Sequence, residues 1–95
     1  FVEVPVIEVP VPGGRARSLI LAVSIETDEA GKGTVTHLLP RVSDSYTTFL
    51  TAIDPAAYDK RGILEVIRTE LVGRARMVLG EAPVKDVLIT EFRFK

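Results

Sequence analysis

Hydrophobic and polar positions alternate near both ends of the chain, and between them the apolar residues recur at three- and four-residue steps. From Ser18 to Thr27, Leu19, Leu21, Val23 and Ile25 fall on one side of an extended chain, and Ile20, Ala22, Ser24 and Glu26 on the other. One apolar face and one mixed face predict a sheet with one side on the core and the other partly wet. Phe1 to Val9 also reads as extended. Pro5 and Pro10 each remove a ladder donor, so this segment is expected to be an edge strand or an irregular lead-in. Pro12-Gly13-Gly14 marks a turn before the Ser18 strand. The closing stretch, Val84 to Phe94, reads as a strand with Leu88, Phe92 and Phe94 on one face and Lys85, Glu91 and Arg93 breaking up its ends.

Between the strands, Asp28 to Gly33 is polar and reads as a turn. From Thr34 the period changes: Val35, Leu38, Val42, Tyr46, Phe49, Leu50 and Ile53 predict a kinked helix from about Thr34 to Ala52, with Pro40 inside it and Asp54-Pro55 stopping it. A second helix follows, with Asp59 as its expected N-cap and Ile63, Leu64, Ile67, Leu71, Ala75 and Val78 as its apolar stripe. Glu70 with Arg74 forms an i,i+4 pair worth roughly 0.3–0.5 kcal/mol. Gly80 is expected to end the helix in the left-handed conformation. The order is β-β-α-α-β. It predicts an α+β domain with a small antiparallel or mixed sheet packed against two helices, the C-terminal strand lying beside the segment around Val23.

Ninety-five residues make one domain, 46% hydrophobic and 26% charged, as in an ordinary globular fold. Twelve basic and 13 acidic residues are spread along the chain, so no clustered positive surface points to a nucleic-acid partner. The absence of cysteine excludes disulfides, zinc-thiolate sites and thiol catalysis. No run of 18 apolar residues is present to span a bilayer. The chain opens on Phe1 rather than Met, and an upstream segment, including any signal or anchor, is expected to precede it.

Candidate chemistry is sparse. The single histidine, His37, has Gly33, Thr34 and Arg41 at helical spacing, none of which orients an imidazole as a carboxylate would. Ser43-Asp44-Ser45 offers two hydroxyls and a carboxylate, but residues one or two apart on a helix do not face each other. Asp54, Asp59, Glu65 and Asp86 lack the spacing that converges oxygens on a hard cation. Gly31-Lys32-Gly33-Thr34 has neither the earlier glycine nor the hydroxyl directly after the lysine that a phosphate loop needs. No catalytic, cofactor-binding or metal-binding residue is expected. The one patterned surface feature is Arg61, Arg68 and Arg76, seven and eight residues apart. Such a row is ordinarily a solvated helix face; its functional reading is a docking surface for an acidic protein patch or for another copy of the domain. The residues thus favour a binding or scaffolding module over an enzyme.

Several runs resemble the C-terminal domain of the flagellar basal-body-associated FliL family. They are Pro12-Gly13-Gly14 ahead of the Leu19–Ile25 strand, Leu39-Pro40-Arg41-Val42-Ser43-Asp44, Ile63-Leu64-Glu65, and above all Val84-Lys85-Asp86-Val87-Leu88-Ile89-Thr90-Glu91-Phe92. The last matches the family's Val-x-Asp-Val opening of the final strand and the Thr-Glu/Asp-Phe step after it. Where the family's second helix often opens Thr-x-Glu-Gly, Asp59-Lys60-Arg61-Gly62 keeps only the glycine. The resemblance implies a stomatin-like fold and a periplasmic domain, residues 1–95, of a single-pass inner-membrane protein anchored upstream of Phe1. It also implies a non-enzymatic scaffold of the flagellar motor that self-associates, possible as a ring, and supports stator units for torque, motility or swarming. A stomatin-like membrane scaffold unrelated to motility is the alternative.

Overall fold

β3, Arg17–Glu26, is the spine of the sheet, with a neighbour on each side. The computed structural model describes residues 1–12 and 17–95, so Gly13 and Gly14 of the expected turn lie outside the described residues. On one side of β3 run β1, Val2–Glu3, and β2, Ile7–Val11; on the other runs β4, Asp86–Phe94, and every pairing is antiparallel. The expected N-terminal strand is thus one edge broken in two around Pro5, as a missing ladder donor dictates. The C-terminal strand does lie beside Val23, so the two ends of the chain meet in one sheet.

Paired residues share a face of the sheet. Ile7 opposite Leu21, Val9 opposite Leu19, and Phe92 and Phe94 opposite the same two leucines therefore build one apolar face. Leu19, Leu21 and Ile25 on it are fully buried. The expected grouping of Leu88 with Phe92 and Phe94 does not hold. Ala22 pairs with Glu91 and Val23 with Ile89, so Thr90 is an extra residue, and its hydroxyl donates to the Ala22 carbonyl at 3.1 Å. This bulge restarts the alternation. Val87 and Ile89 before it and Phe92 and Phe94 after it all face the core, while Leu88 lies on the outer face, 51% exposed.

The helices cover the apolar face. α1 spans Glu29–Ala52 and starts earlier than its periodicity suggests, because Asp28 caps it by accepting from the Gly31 N–H at 2.8 Å. The polar Asp28–Gly33 stretch, read as a turn, is therefore the cap and first turn of the helix. Gly31 is buried there, and a Cβ at that position would stand 3.1 Å from the Pro83 Cα and would meet the Thr27 hydroxyl. Gly31→Ala is accordingly expected to destabilise by about 1–3 kcal/mol, read as a lowered denaturant midpoint at unchanged slope. α1 continues through Pro40, which is exposed.

A 3₁₀ turn, Pro55–Asp59, joins α1 to α2, Ile63–Leu79. Asp59 ends that turn and does not cap α2; Gly62, with φ 79°, sits at the helix start instead. The one residue kept from the family's opening is thus the one whose backbone a side chain would strain. Gly80 ends α2 with φ 90° and ψ 165°, a positive φ but not the expected left-handed helical conformation. Ile67, Leu71, Ala75 and Leu79 are the buried stripe, and Leu64, expected within it, is 47% exposed in the first turn. Beneath the 3₁₀ turn, Tyr58 packs edge-on to Phe94 at 5.4 Å between ring centroids, and Phe92 to Phe94 at 5.9 Å, closing one end of the core.

Candidate interaction surface

α2 presents its buried stripe to α1 and the sheet, and its flanks carry charged side chains that are already paired. On the flank toward β4, Arg68 holds Glu65 at 2.7 Å and Asp86 at 2.8 Å. The hydrogen bond and charge of Arg68 lower the Glu65 pKa below the usual carboxylate range. Arg76 donates to the Val84 and Lys85 carbonyls at 3.3 and 3.5 Å and lies 3.6 Å from Glu81. Arg68 thereby ties α2 to the first residue of β4, and Arg76 ties it to the segment just before that strand. On the opposite flank the expected Glu70–Arg74 pair forms at 3.3 Å; Arg74 also donates to the Ser45 carbonyl and hydroxyl oxygens and lies over the Phe49 ring.

The three arginines singled out by spacing therefore do not form a single row. Arg68 and Arg76 line one shallow groove of about 610 Å³ beside β4. Arg61 precedes α2, between the 3₁₀ turn and Gly62, and is not part of that groove. Between the flanks, directly opposite the buried stripe, α2 carries no charge. Val66, Thr69, Gly73 and Met77 occupy that line at steps of three, four and four residues; all are exposed, Val66 at 63% and Met77 at 87%. A second hollow of about 470 Å³, bordered by Phe49, Val66 and Thr69 and by Glu65 and Glu70, adjoins it. Spacing alone could have found this line, since Val66, Thr69, Gly73 and Met77 recur at helical steps with no charge among them.

Gly73 is unusual within this line. Glycine inside a helix costs about 0.5–1 kcal/mol relative to alanine, yet a Cβ at Gly73 would meet nothing within 4 Å. Gly73→Ala is expected to raise the melting temperature of the isolated domain by about 2–8 °C, as a gain of that size does in a domain of this length.

The residues with candidate chemistry stay apart. His37 is exposed on α1, and among the described residues no hydrogen bond joins it to a carboxylate or hydroxyl. Gly31-Lys32-Gly33-Thr34 lies within α1 and forms no loop. Among the described residues no three His, Asp or Glu side chains are grouped to hold a metal ion. No helix there is long and apolar enough to cross a membrane.

The family model for the flagellar basal body-associated protein FliL matches residues 1–94. The chain belongs to the FliL family. No curated protein matches it. FliL proteins associate with the flagellar basal body, which places this domain among flagellar components. The run Val84–Phe92, the strongest point of resemblance, forms β4 and its lead-in, where the Lys85 N–H donates to the Glu26 carbonyl at 2.9 Å. In this FliL domain the run that carries the resemblance is thus the strand that pairs with β3 on the side away from β1 and β2.

Proposed function

We propose that this domain is a non-enzymatic scaffold of the bacterial flagellar motor. It lies in the periplasm, held by an inner-membrane anchor upstream, self-associates, and supports stator units during torque generation and swarming. The family match over nearly the whole chain carries this reading. The uncharged outer line of α2, bordered by the paired Arg68 and Arg76, supports it as a surface suited to protein contact rather than to chemistry.

The test is co-purification from membranes of motile cells, using the full-length protein in two differently tagged copies. The proposal expects one tag to bring down the other together with stator subunits. Recovery of a single copy with no stator subunit would refute it. Copies that associate while the stator stays behind would leave a membrane scaffold without a motor role.

A further inference from the structure

We propose that the open end of β4, residues 91–94, is a docking edge that takes an extended acidic segment of another protein as a further strand of the sheet. This goes beyond the motor role and does not depend on it. β4 has β3 on one side and no strand on the other. The opposite edge of the sheet is guarded by Pro5 and Pro10, whereas β4 holds no proline. Side chains close the start of β4: Arg76 donates to the Val84 and Lys85 carbonyls, and the Asp86 carboxylate accepts from the Val87 N–H at 2.8 Å. Past the Thr90 bulge, no side chain among the described residues closes the edge in this way. Lys95 and Ser18 exchange both backbone hydrogen bonds. By the alternation of an antiparallel ladder Arg93 also turns toward β3, while Phe92 and Phe94 present their N–H and C=O groups to the open side.

Burial and charge say what the edge takes. Ile7 and Phe92 flank Leu21, and Val9 and Phe94 flank Leu19; the two β2 residues are buried, while both phenylalanines stay half-buried. Apolar surface thus remains to be covered on the β4 side, and an added strand covers it with alternate side chains. Charge selects that strand. The Arg17 guanidinium lies 4.3 Å from the centre of the Phe94 ring. Tyr58 packs on both phenylalanines, and Lys60 and Arg61, both exposed, follow it by two and three residues. Among the described residues none of these three cations has an ion-pair partner. The carboxylates at this end are Asp59 and Glu91, and Arg93 already holds Glu91. A second copy of the domain would bring the same cations to the edge, whereas an acidic strand meets them with opposite charge. Arg61, apart from the groove of Arg68 and Arg76, belongs to this site.

The probe is a short peptide alternating aspartate and valine, added to the full-length protein in detergent. Fluorescence anisotropy gives its Kd, and hydrogen exchange reads the Phe92 and Phe94 amides. Both amides should exchange freely in the protein alone and slow roughly tenfold with the peptide at about ten times its Kd. Lysine in place of aspartate in the peptide, or Lys60→Glu with Arg61→Glu in the protein, should weaken binding several-fold. Both side chains are exposed, so that variant keeps its fold. Equal binding of the lysine peptide, or unchanged binding to the variant, would overturn the acidic occupant. Binding that leaves the two amides unprotected would overturn strand addition. No binding, or slow exchange of both amides before any peptide is added, would overturn the docking edge itself.

Discussion

Leu71→Ala is expected to cost about 2–5 kcal/mol, enough to unfold a large share of a domain this small at physiological temperature. Leu71 is fully buried at the middle of the α2 stripe, and its carbonyl accepts from the Tyr46 hydroxyl at 2.8 Å. Truncation leaves a cavity between two helices already pinned to one another, so the site cannot collapse to refill it. Denaturant unfolding followed by circular dichroism reads the loss directly. A change near zero would mean that α2 does not bury this stripe, and the outward assignment of Val66, Gly73 and Met77 would fall with it.

Tyr46→Ala is expected to cost about 3–5 kcal/mol, with Tyr46→Phe costing only about 0.5–1.5 kcal/mol. Tyr46 is fully buried on α1. The phenylalanine variant keeps the packing and removes only the hydroxyl, and the Leu71 carbonyl retains its own helical partner. Burial also raises the Tyr46 pKa, and to a lesser degree that of Tyr58, above the usual phenol value of 10.0. The folded state therefore holds these protons more tightly than the unfolded chain. That stability is complete below pH ~10 and is lost as pH rises above it toward the folded-state values. Alkaline unfolding monitored in the wild type should be steep, and in Tyr46→Phe distinctly shallower.

What could be read from sequence divides along physical lines. The faces of β3 and the stripes of both helices were legible because periodicity reports burial wherever an element keeps one regular conformation. β4 broke the rule at Thr90, where one extra residue moved Leu88 to the wet face; nothing in the residue types of that run announces a bulge. The start of α1 was hidden because its first turn, Glu29 to Gly33, is polar and glycine-bearing, and only the Asp28 cap and the close approach of Pro83 explain that composition. Asp59 carries a favoured capping side chain, but the chain closes a 3₁₀ turn there before Gly62 opens α2. By spacing, Arg61, Arg68 and Arg76 read as a solvated helix face or a docking surface. The tethers of Arg68 and Arg76 to Asp86, Val84 and Lys85 depend on β4 folding back along α2, a long-range contact that helical spacing does not contain.

The central claim, that this FliL domain supports stator units at the motor, is tested most directly by counting labelled stator units per motor in cells with and without it. Fewer units under high load, restored when the domain is supplied again in its full-length chain, is the predicted result. An unchanged count, with swimming and swarming unaffected, would contradict it.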